Sequence, residues 1–504
     1  MDQSYFFDSL SQINKDIKKE YKSLRNRLQS ILLDNEFLND EIIATFPNYP
    51  IIPNERCGLW YVSPSQYNQT SYFKSTDGHT NQWDFSTRRL NFHLLETIAK
   101  SKGITIIDST RRGKKIPDAL SKTIPIWCAV LNYIMLRELK GGNDIVKVED
   151  CLFVPPATVP KSEYDCILQK IPTLVEKLDK LEIINANELI STFHGKLLRP
   201  LWIYPGSSIL HSSRDVFTGE KTKALAWEAP ENIIPIVLCT ISYQAQDGVD
   251  KRYGFTYVQG AADDHELWSC GLTPELFWSH INYLGNPTHS DDELMEYVRH
   301  MIEMKIKDSA AKTVELTMDA IFPNGVDPIT PEISLGKIDN NIKITKSMLH
   351  EFKKGFSLVV ILSETVTLNS DDKDEQQSDS VKIYKLTSGS KKSSKRLRTE
   401  IPKIYEVMRE NLTNGKPILI CCNTGTDISI GIILTILCKN YKLDPDNKKA
   451  WLRLEKETQD SNVPVKRLDK TIIRKNLTTL ISHLEGRNVN PSRATLNSVN
   501  DYLM

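Results

Sequence analysis

Apolar residues Ile13, Ile17, Leu24, Leu28 and Ile31 recur at helical spacing among charges, which predicts an amphipathic packing helix over residues 10–33. Phe46-Pro47-Asn48-Tyr49-Pro50 ends the stretch behind that helix. Ile104-Thr105-Ile106-Ile107 reads as a strand, and Ile124-Pro125-Ile126-Trp127 opens an apolar helix through Met135 and Leu136. Ile233 to Ile241 and Phe255 to Val258 read as further buried strands. Strands alternating with helical stretches predict an α/β fold.

Pro323-Asn324-Gly325 and Pro331 interrupt the pattern, so a boundary is expected near residues 325–345, dividing domains 1–335 and 336–504. Phe356 to Leu362 then reads as a strand, Pro402 to Leu412 as a helix, and Pro417 to Cys438 as strand, tight loop and helix. Asp371 to Ser380 and Ser388 to Ser394 are expected as mobile loops around a short strand, Val381 to Leu386. No internal repeat is visible.

At 504 residues the chain exceeds a single core, and its 40% hydrophobic and 25% charged content is ordinary for globular proteins. The 64 basic and 64 acidic residues cancel, which argues against a general polyanion binder. Local clusters survive the average: Lys391, Lys392, Lys395, Arg396 and Arg398, then Lys466, Arg467, Lys470, Arg474 and Lys475. Each is either a solvated face or a phosphate contact, and their proximity favours a phosphate-rich partner. No apolar run reads as long enough to cross a bilayer, and Met1 to Leu10 lacks the order of a secretory signal. Nine cysteines lack CxxC or Cys/His ligand spacing, so neither zinc nor a disulfide framework is expected. The expectation is a soluble, cytoplasmic protein with no membrane partner.

The loop Cys422-Asn423-Thr424-Gly425-Thr426-Asp427 between a strand and an apolar helix aims backbone amides and a helix N-terminus at one anion. Its spacing resembles the H-C-x5-R-[ST] signature of cysteine-dependent phosphatases. Cys421 stands at the histidine position, Cys422 at the nucleophile and Ile428 at the arginine, while Ser429 keeps the hydroxyl. Losing a forked guanidinium removes roughly several kcal/mol of transition-state stabilisation. The loop therefore reads as a site that holds phosphate without hydrolysing it.

Three segments of the first half concentrate polar residues beside strands. Lys74-Ser75-Thr76-Asp77-Gly78-His79, with Arg88 and Arg89, suits either a phosphorylated ligand or a polar hairpin with one capped helix. Asp108-Ser109-Thr110-Arg111-Arg112-Gly113-Lys114-Lys115 crowds four cations around a glycine after a strand, as a ligand loop does in α/β folds. A solvated basic turn is the alternative. Asp263-Asp264-His265-Glu266 comes after the strand Phe255 to Val258 and offers either a general base and magnesium ligand or a helix's first turn. Near the C-terminus, Pro491-Ser492 reads as a helix start, with Leu496, Val499 and Leu503 on one face and Arg493 a candidate to face the phosphate loop.

Together these stretches resemble the initiator tRNA 2′-O-ribosylphosphate transferases. Phe73 to Thr80, Phe85 to Asn91, Asp108 to Lys114, Pro117 to Trp127, Tyr257 to Trp268 and Pro491 to Leu496 carry the resemblance, in order. It implies a family-specific N-terminal domain and a C-terminal domain like the dual-specificity phosphatases. It also implies transfer of 5-phosphoribosyl from phosphoribosyl pyrophosphate to the 2′-hydroxyl of adenosine 64 of initiator methionine tRNA, excluding that tRNA from elongation. The partners are then tRNA and the donor rather than DNA, with magnesium as the expected cofactor.

On that chemistry Asp108, Asp263, Asp264 and His265 are the catalytic candidates. Ser109, Thr110, Arg111, Arg112, Lys114 and Lys115 hold donor phosphates, with Lys74, His79, Arg88 and Arg89 as a second wall. Cys422, Asn423, Thr424, Gly425, Thr426, Asp427 and Ser429 grip a phosphate of the donor or of the tRNA. A cysteine-dependent phosphatase and a non-catalytic tRNA-binding scaffold are the competing readings.

Overall fold

The computed structural model describes residues 21–504 except 56, 88, 112, 142–145, 212–216, 219–225, 312–317, 323–324, 369–379, 389–390, 445–449, 455–467, 485–486 and 488. Chain contacts divide it into two compact units. The first holds residues 1–86, 91–179 and 184–302; the second holds 87–90, 180–183 and 303–504.

The first unit is built on four parallel strands, β1 (Ile51–Pro53), β2 (Ile104–Asp108), β3 (Leu197–Ile203) and β4 (Ile233–Thr240), in the order β1-β2-β4-β3. Every residue of β2 is buried, as a central parallel strand covered on both faces requires. The helix Ile124–Leu139 is buried along most of its length, consistent with its unbroken apolar run. Ala119–Leu139 is long and apolar enough to span a bilayer, contrary to the sequence expectation, but 89% of its window is buried inside the unit, which marks it as a core helix. Its one buried amide, Asn132, exchanges hydrogen bonds with the Leu198 backbone at 2.8 and 2.9 Å and so ties the helix to β3.

The amphipathic helix spans Leu24–Phe37, capped by Ser23, with Leu24, Leu28 and Ile31 buried as expected; Ile13 and Ile17 lie outside the described residues. Phe255–Val258 differs from the expected buried strand. It is β6, paired antiparallel with β5 (Val249–Arg252) in a separate hairpin, and only Tyr257 and Val258 are buried. Polar residues of the Leu24–Phe37 helix hold this hairpin: Ser30 Oγ accepts from the Val258 amide at 2.8 Å, and Asp34 from the Tyr257 hydroxyl at 2.9 Å.

The second unit contains β7 (Val326–Thr330), β8 (Ile333–Lys337), β9 (Lys343–Ile344), β10 (Leu358–Leu362), β11 (Thr367–Leu368), β12 (Val381–Tyr384) and β13 (Ile418–Cys422). Five of them form a sheet in the order β12-β10-β13-β8-β7, parallel except for the hairpin β7/β8. A boundary at 335/336 would cut β8, which pairs with β13 from Ile333 to Lys337; the long segment of the second unit instead begins at Glu303. The helix expected at Pro402 to Leu412 runs from Lys391 to Thr413, so Lys391–Ser394 is helical rather than loop. Of the expected acidic loop Asp371 to Ser380, residues 371–379 lie outside the described residues. The helix Ile428–Asn440 is buried from Ile428 through Cys438. Gly431 permits its close packing on the C-terminal helix Arg493–Leu503, because a Cβ there would sit 2.6 Å from Thr495 Cγ2.

Candidate active site and phosphate loop

In the first unit the loops after β2 and β6 meet. The end of β2 is held by the Ile241 amide, which donates to the Asp108 carbonyl at 2.9 Å, and by Ser242 Oγ, bonded to both Thr110 backbone groups at 3.1 Å. Gln259 then staples the loops together: its Oε1 accepts from the Gly113 amide at 2.9 Å, and its Nε2 donates to the Lys114 carbonyl at 2.7 Å. Gly260 sits at φ +65°, where a Cβ would lie 2.8 Å from the Thr110 carbonyl. Only glycine combines that backbone with so close an approach.

This contact brings Arg111 onto both carboxylates. Its Nε lies 3.5 Å from Asp263 Oδ2, and its Nη1 pairs with Asp264 Oδ2. The two acids differ in access, with side-chain exposures of 6% and 55%. Asp264 adopts a left-handed conformation at φ +52°, and His265–Leu267 forms a single 3₁₀ turn. The acid pair therefore stands on a turn and not at the start of a long helix. His265 is partly exposed, its ring 5.9 Å from that of Trp60. Asp108 points inward instead, accepting from the Ser109 amide and from Asn54 Nδ2, each at 2.8 Å.

Of the other β2-loop cations described, Lys114 meets Asp118 and Lys115 lies on Tyr204. Asp118 pairs with Lys114 at 3.3 Å, Lys122 at 3.2 Å and His79 at 3.6 Å. Buried Lys122 also meets Glu163 at 3.1 Å. Burial alone would raise Glu163, but hydrogen bonds from Trp83, Lys122 and Thr80 and the lysine charge hold it below the usual carboxylate range. The segment around Lys74 is a 3₁₀ turn, Ser75–Gly78, tied by Thr123 Oγ1 donating to the Lys74 carbonyl at 2.9 Å; the hairpin alternative is not what forms. Lys115 lies 4.0 Å over the Tyr204 ring. Arg88 and Arg112 lie outside the described residues, and Arg89 groups with the second unit.

Several residues that hold these loops have no clear signature in the sequence. The turn Asn54–Tyr61 lies beneath both: Asn54 bonds Asp108, Cys57 Sγ is 2.8 Å from Asp263 Oδ1, and the Tyr61 hydroxyl accepts from the Ala262 amide at 3.1 Å. Arg27, from the Leu24–Phe37 helix, donates to the Ala261 carbonyl at 2.5 Å and lies 5.1 Å over the Trp268 ring. Burial lowers its pKa, opposed by Tyr61, Asp264 and Asp263. The one available signal is the run Asn54-Glu55-Arg56-Cys57-Gly58-Leu59-Trp60-Tyr61, which crowds polar and aromatic residues after a short apolar stretch.

The second unit forms the degenerate loop at the C-terminal end of β13. Cys422 is fully buried, its Sγ 3.0 Å from Ser429 Oγ, 3.4 Å from Thr424 Oγ1 and 3.2 Å from the Gly425 amide. Asn423 donates to the Ile338 carbonyl at 3.2 Å, and the Thr426 carbonyl accepts from Asn490 at 3.0 Å. Asp427 accepts from Thr495 Oγ1 at 2.6 Å and the Ser492 amide at 2.8 Å, which anchors the C-terminal helix to the loop. Arg493 is exposed; Arg487 packs beside Gly425 and pairs with Asp327. Ile428 is 2% exposed and belongs to the core. Cys421, at the histidine position, is buried beneath the loop, which pushes its thiol well up.

Two family models match the chain in order: a Rit1 N-terminal domain over residues 17–303 and a Rit1 DUSP-like domain over residues 380–503. The chain is 58% identical over 513 aligned residues to the tRNA A64-2′-O-ribosylphosphate transferase of Saccharomyces cerevisiae, covering 100% of this chain and 96% of that protein. It is 42% identical over 272 residues to an uncharacterized protein of Schizosaccharomyces pombe, covering 54% of this chain and 55% of that one. Among solved structures, the human tyrosine phosphatase-like serine/threonine/tyrosine-interacting protein matches 35% of this chain and 94% of its own, at 13% identity and a TM-score of 0.23.

Proposed function

The chain belongs to the Rit1 family, and on that premise we propose that its first unit attaches ribosylphosphate to the 2′-oxygen of adenosine 64 of a tRNA. It is a tRNA-modifying transferase with a phosphatase-like C-terminal domain. The finer proposal is that the acceptor is initiator methionine tRNA and the donor phosphoribosyl pyrophosphate. The observation that carries the site is Arg111 held against Asp263 and Asp264 at the C-terminal edge of a parallel sheet, where α/β folds collect ligands.

In the transfer, a bond forms between the 2′-oxygen and the anomeric carbon. The bond from that carbon to pyrophosphate breaks, with its electron pair leaving on the pyrophosphate. Arg111 binds a donor phosphate and offsets that charge. Asp108 and Asp263 are buried and Asp264 is paired with Arg111, so the hydroxyl proton passes to the remaining accessible group, His265. No group of three or more His, Cys, Asp or Glu side chains converges among the described residues. Magnesium, which usually takes one or two carboxylates and completes its shell with water and phosphate, would fit here as an ion carried on the donor, with exposed Asp264 as its protein ligand. When bound it would supply positive charge to the leaving pyrophosphate.

For the second unit we propose phosphate holding without hydrolysis. Ile428 occupies the arginine position from within the core, and the thiol of Cys422 is engaged by Ser429 and the loop amide. The deciding experiment combines purified protein with labelled donor, magnesium and initiator tRNA, and then maps the product with nucleases. Label confined to adenosine 64 is expected. Binding of tRNA without label would favour the scaffold, and phosphate release from an aryl phosphate would favour the phosphatase.

A further inference from the structure

Cys57 is 2% exposed and its thiol lies 2.8 Å from Asp263 Oδ1. The other oxygen of that carboxylate faces Arg111 Nε at 3.5 Å, and Arg111 Nη1 pairs with Asp264, while Nη2 has no partner among the described residues. A carboxylate turns as a unit about a soft terminal torsion, so a donor on Oδ1 determines where Oδ2 sits. That in turn determines the plane in which the guanidinium lies.

The backbone around Cys57 is well placed to impose this. The Gly58 amide donates to the Asn54 carbonyl at 2.7 Å, and the Asn54 amide donates to the Ile107 carbonyl at 2.8 Å. A Cβ on Gly58 would collide with the Ile107 carbonyl, so the turn is seated directly on the end of β2. The same turn reaches the β6 loop through Tyr61, whose hydroxyl accepts from the Ala262 amide. Cys57 thus projects from a segment in register with both loops.

We propose that Cys57 is a positioning residue for donor binding: its thiol orients Asp263, which in turn presents Arg111 Nη2 to a phosphate of the sugar donor. This rests on the reading of Arg111 as the donor's phosphate ligand. The thiol acts as a hydrogen-bond donor and is not consumed, so serine can replace it while alanine and the similarly sized valine cannot.

The test is steady-state transfer by the full chain and its variants Cys57→Ala, Cys57→Val, Cys57→Ser and Arg111→Ala, varying labelled phosphoribosyl pyrophosphate and tRNA separately. Cys57→Ala and Cys57→Val should each raise the donor KM by roughly tenfold or more, as lost outer-shell partners do. The tRNA KM should be unchanged, and Cys57→Ser should restore most of the donor KM. A merely structural role would lower the active fraction, and so kcat, without moving the donor KM. Thermal unfolding monitors the fold of each variant, and valine carries the test if alanine fails to fold. A folded Cys57→Val enzyme with the parent donor KM, or a Cys57→Ser enzyme as impaired as valine, would overturn the proposal. If Arg111→Ala itself leaves the donor KM unmoved, the donor does not bind at Arg111, and the failure belongs to that reading. A raised donor KM in Arg111→Ala alone refutes only the role of Cys57.

Discussion

Arg111 and Asp34 show how differently two charged residues can matter. The Arg111 side chain is 41% exposed and its pair with Asp263 is long, so its loss should cost the fold no more than about 1 kcal/mol. Removal of a preorganised phosphate clamp should cost roughly a hundredfold or more in transfer. Arg111→Ala with a near-parent melting curve and collapsed labelling is therefore expected, and retained labelling would place the donor elsewhere. Asp34 contributes through protonation. It is fully buried, its Oδ1 accepting from the Tyr257 hydroxyl, while Oδ2 has no partner among the described residues. Burial pushes its carboxyl well up, against the opposing Tyr257 and Tyr243 hydrogen bonds. In the unfolded chain it ionises near about pH 3.9. Over the pH range between the two values the native state keeps a proton that the unfolded state releases, so its contribution to stability is greatest in acid and falls as pH rises. Asp34→Asn should flatten that decline in urea unfolding measured from pH 5 to 8. An unchanged slope would mean Asp34 is ionised in the fold.

Elements explain why the phosphate loop is legible in sequence yet altered in chemistry. Ile418 to Cys422 and Ile428 to Asn440 form the strand and helix that their apolar runs predict, because each is buried almost throughout. What the helix leans on was not visible: Gly431 accepts Thr495, and Asp427 caps the connection to the C-terminal helix. Gly431→Ala should therefore destabilise the second unit by about 1–2 kcal/mol, since overpacking outweighs the gain in helix propensity. Faster hydrogen exchange in Arg493–Leu503 would report it, and unaltered protection would show that the helices separate freely. Ile428→Arg places a charge in the core and should lower the thermal midpoint sharply without creating phosphatase activity. Phosphate release from an aryl phosphate by a folded variant would contradict this. In the first unit, the expected strand at Phe255 to Val258 formed, but as half of a hairpin held by Asn26, Ser30 and Asp34. Polar residues on the buried side of an amphipathic helix give no periodic signal.

The molecule as a whole carries no net charge, so attraction to tRNA must come from local patches rather than a global field. Lys470 and Arg474 are exposed on one helix, whereas Lys475 pairs with Glu182 and Arg398 with Asp501. Lys470→Ala and Arg474→Ala should each weaken tRNA binding at low salt and reduce the slope of log K against log salt by about one. Equal slopes in parent and variants would make this helix a solvated face. Residues 466 and 467, the other members of that cluster, lie outside the described residues.

The order of apolar runs was enough to establish an α/β fold and the buried strand before Asp108, and the spacing around Cys422 resembles a phosphatase loop with Ile428 at the arginine position. These come from local periodicity and spacing, which each segment carries by itself. The pairing of Arg111 with Asp263 and Asp264 joins residues more than 150 positions apart, and Cys57 meets Asp263 across 206. Only the closure of the loops by Gln259, Gly260 and the Asn54–Tyr61 turn decides which of the many loop cations face an acid and which, like Lys115 on Tyr204, are occupied elsewhere. Side chains of like charge are interchangeable along a sequence, and packing is what distinguishes them.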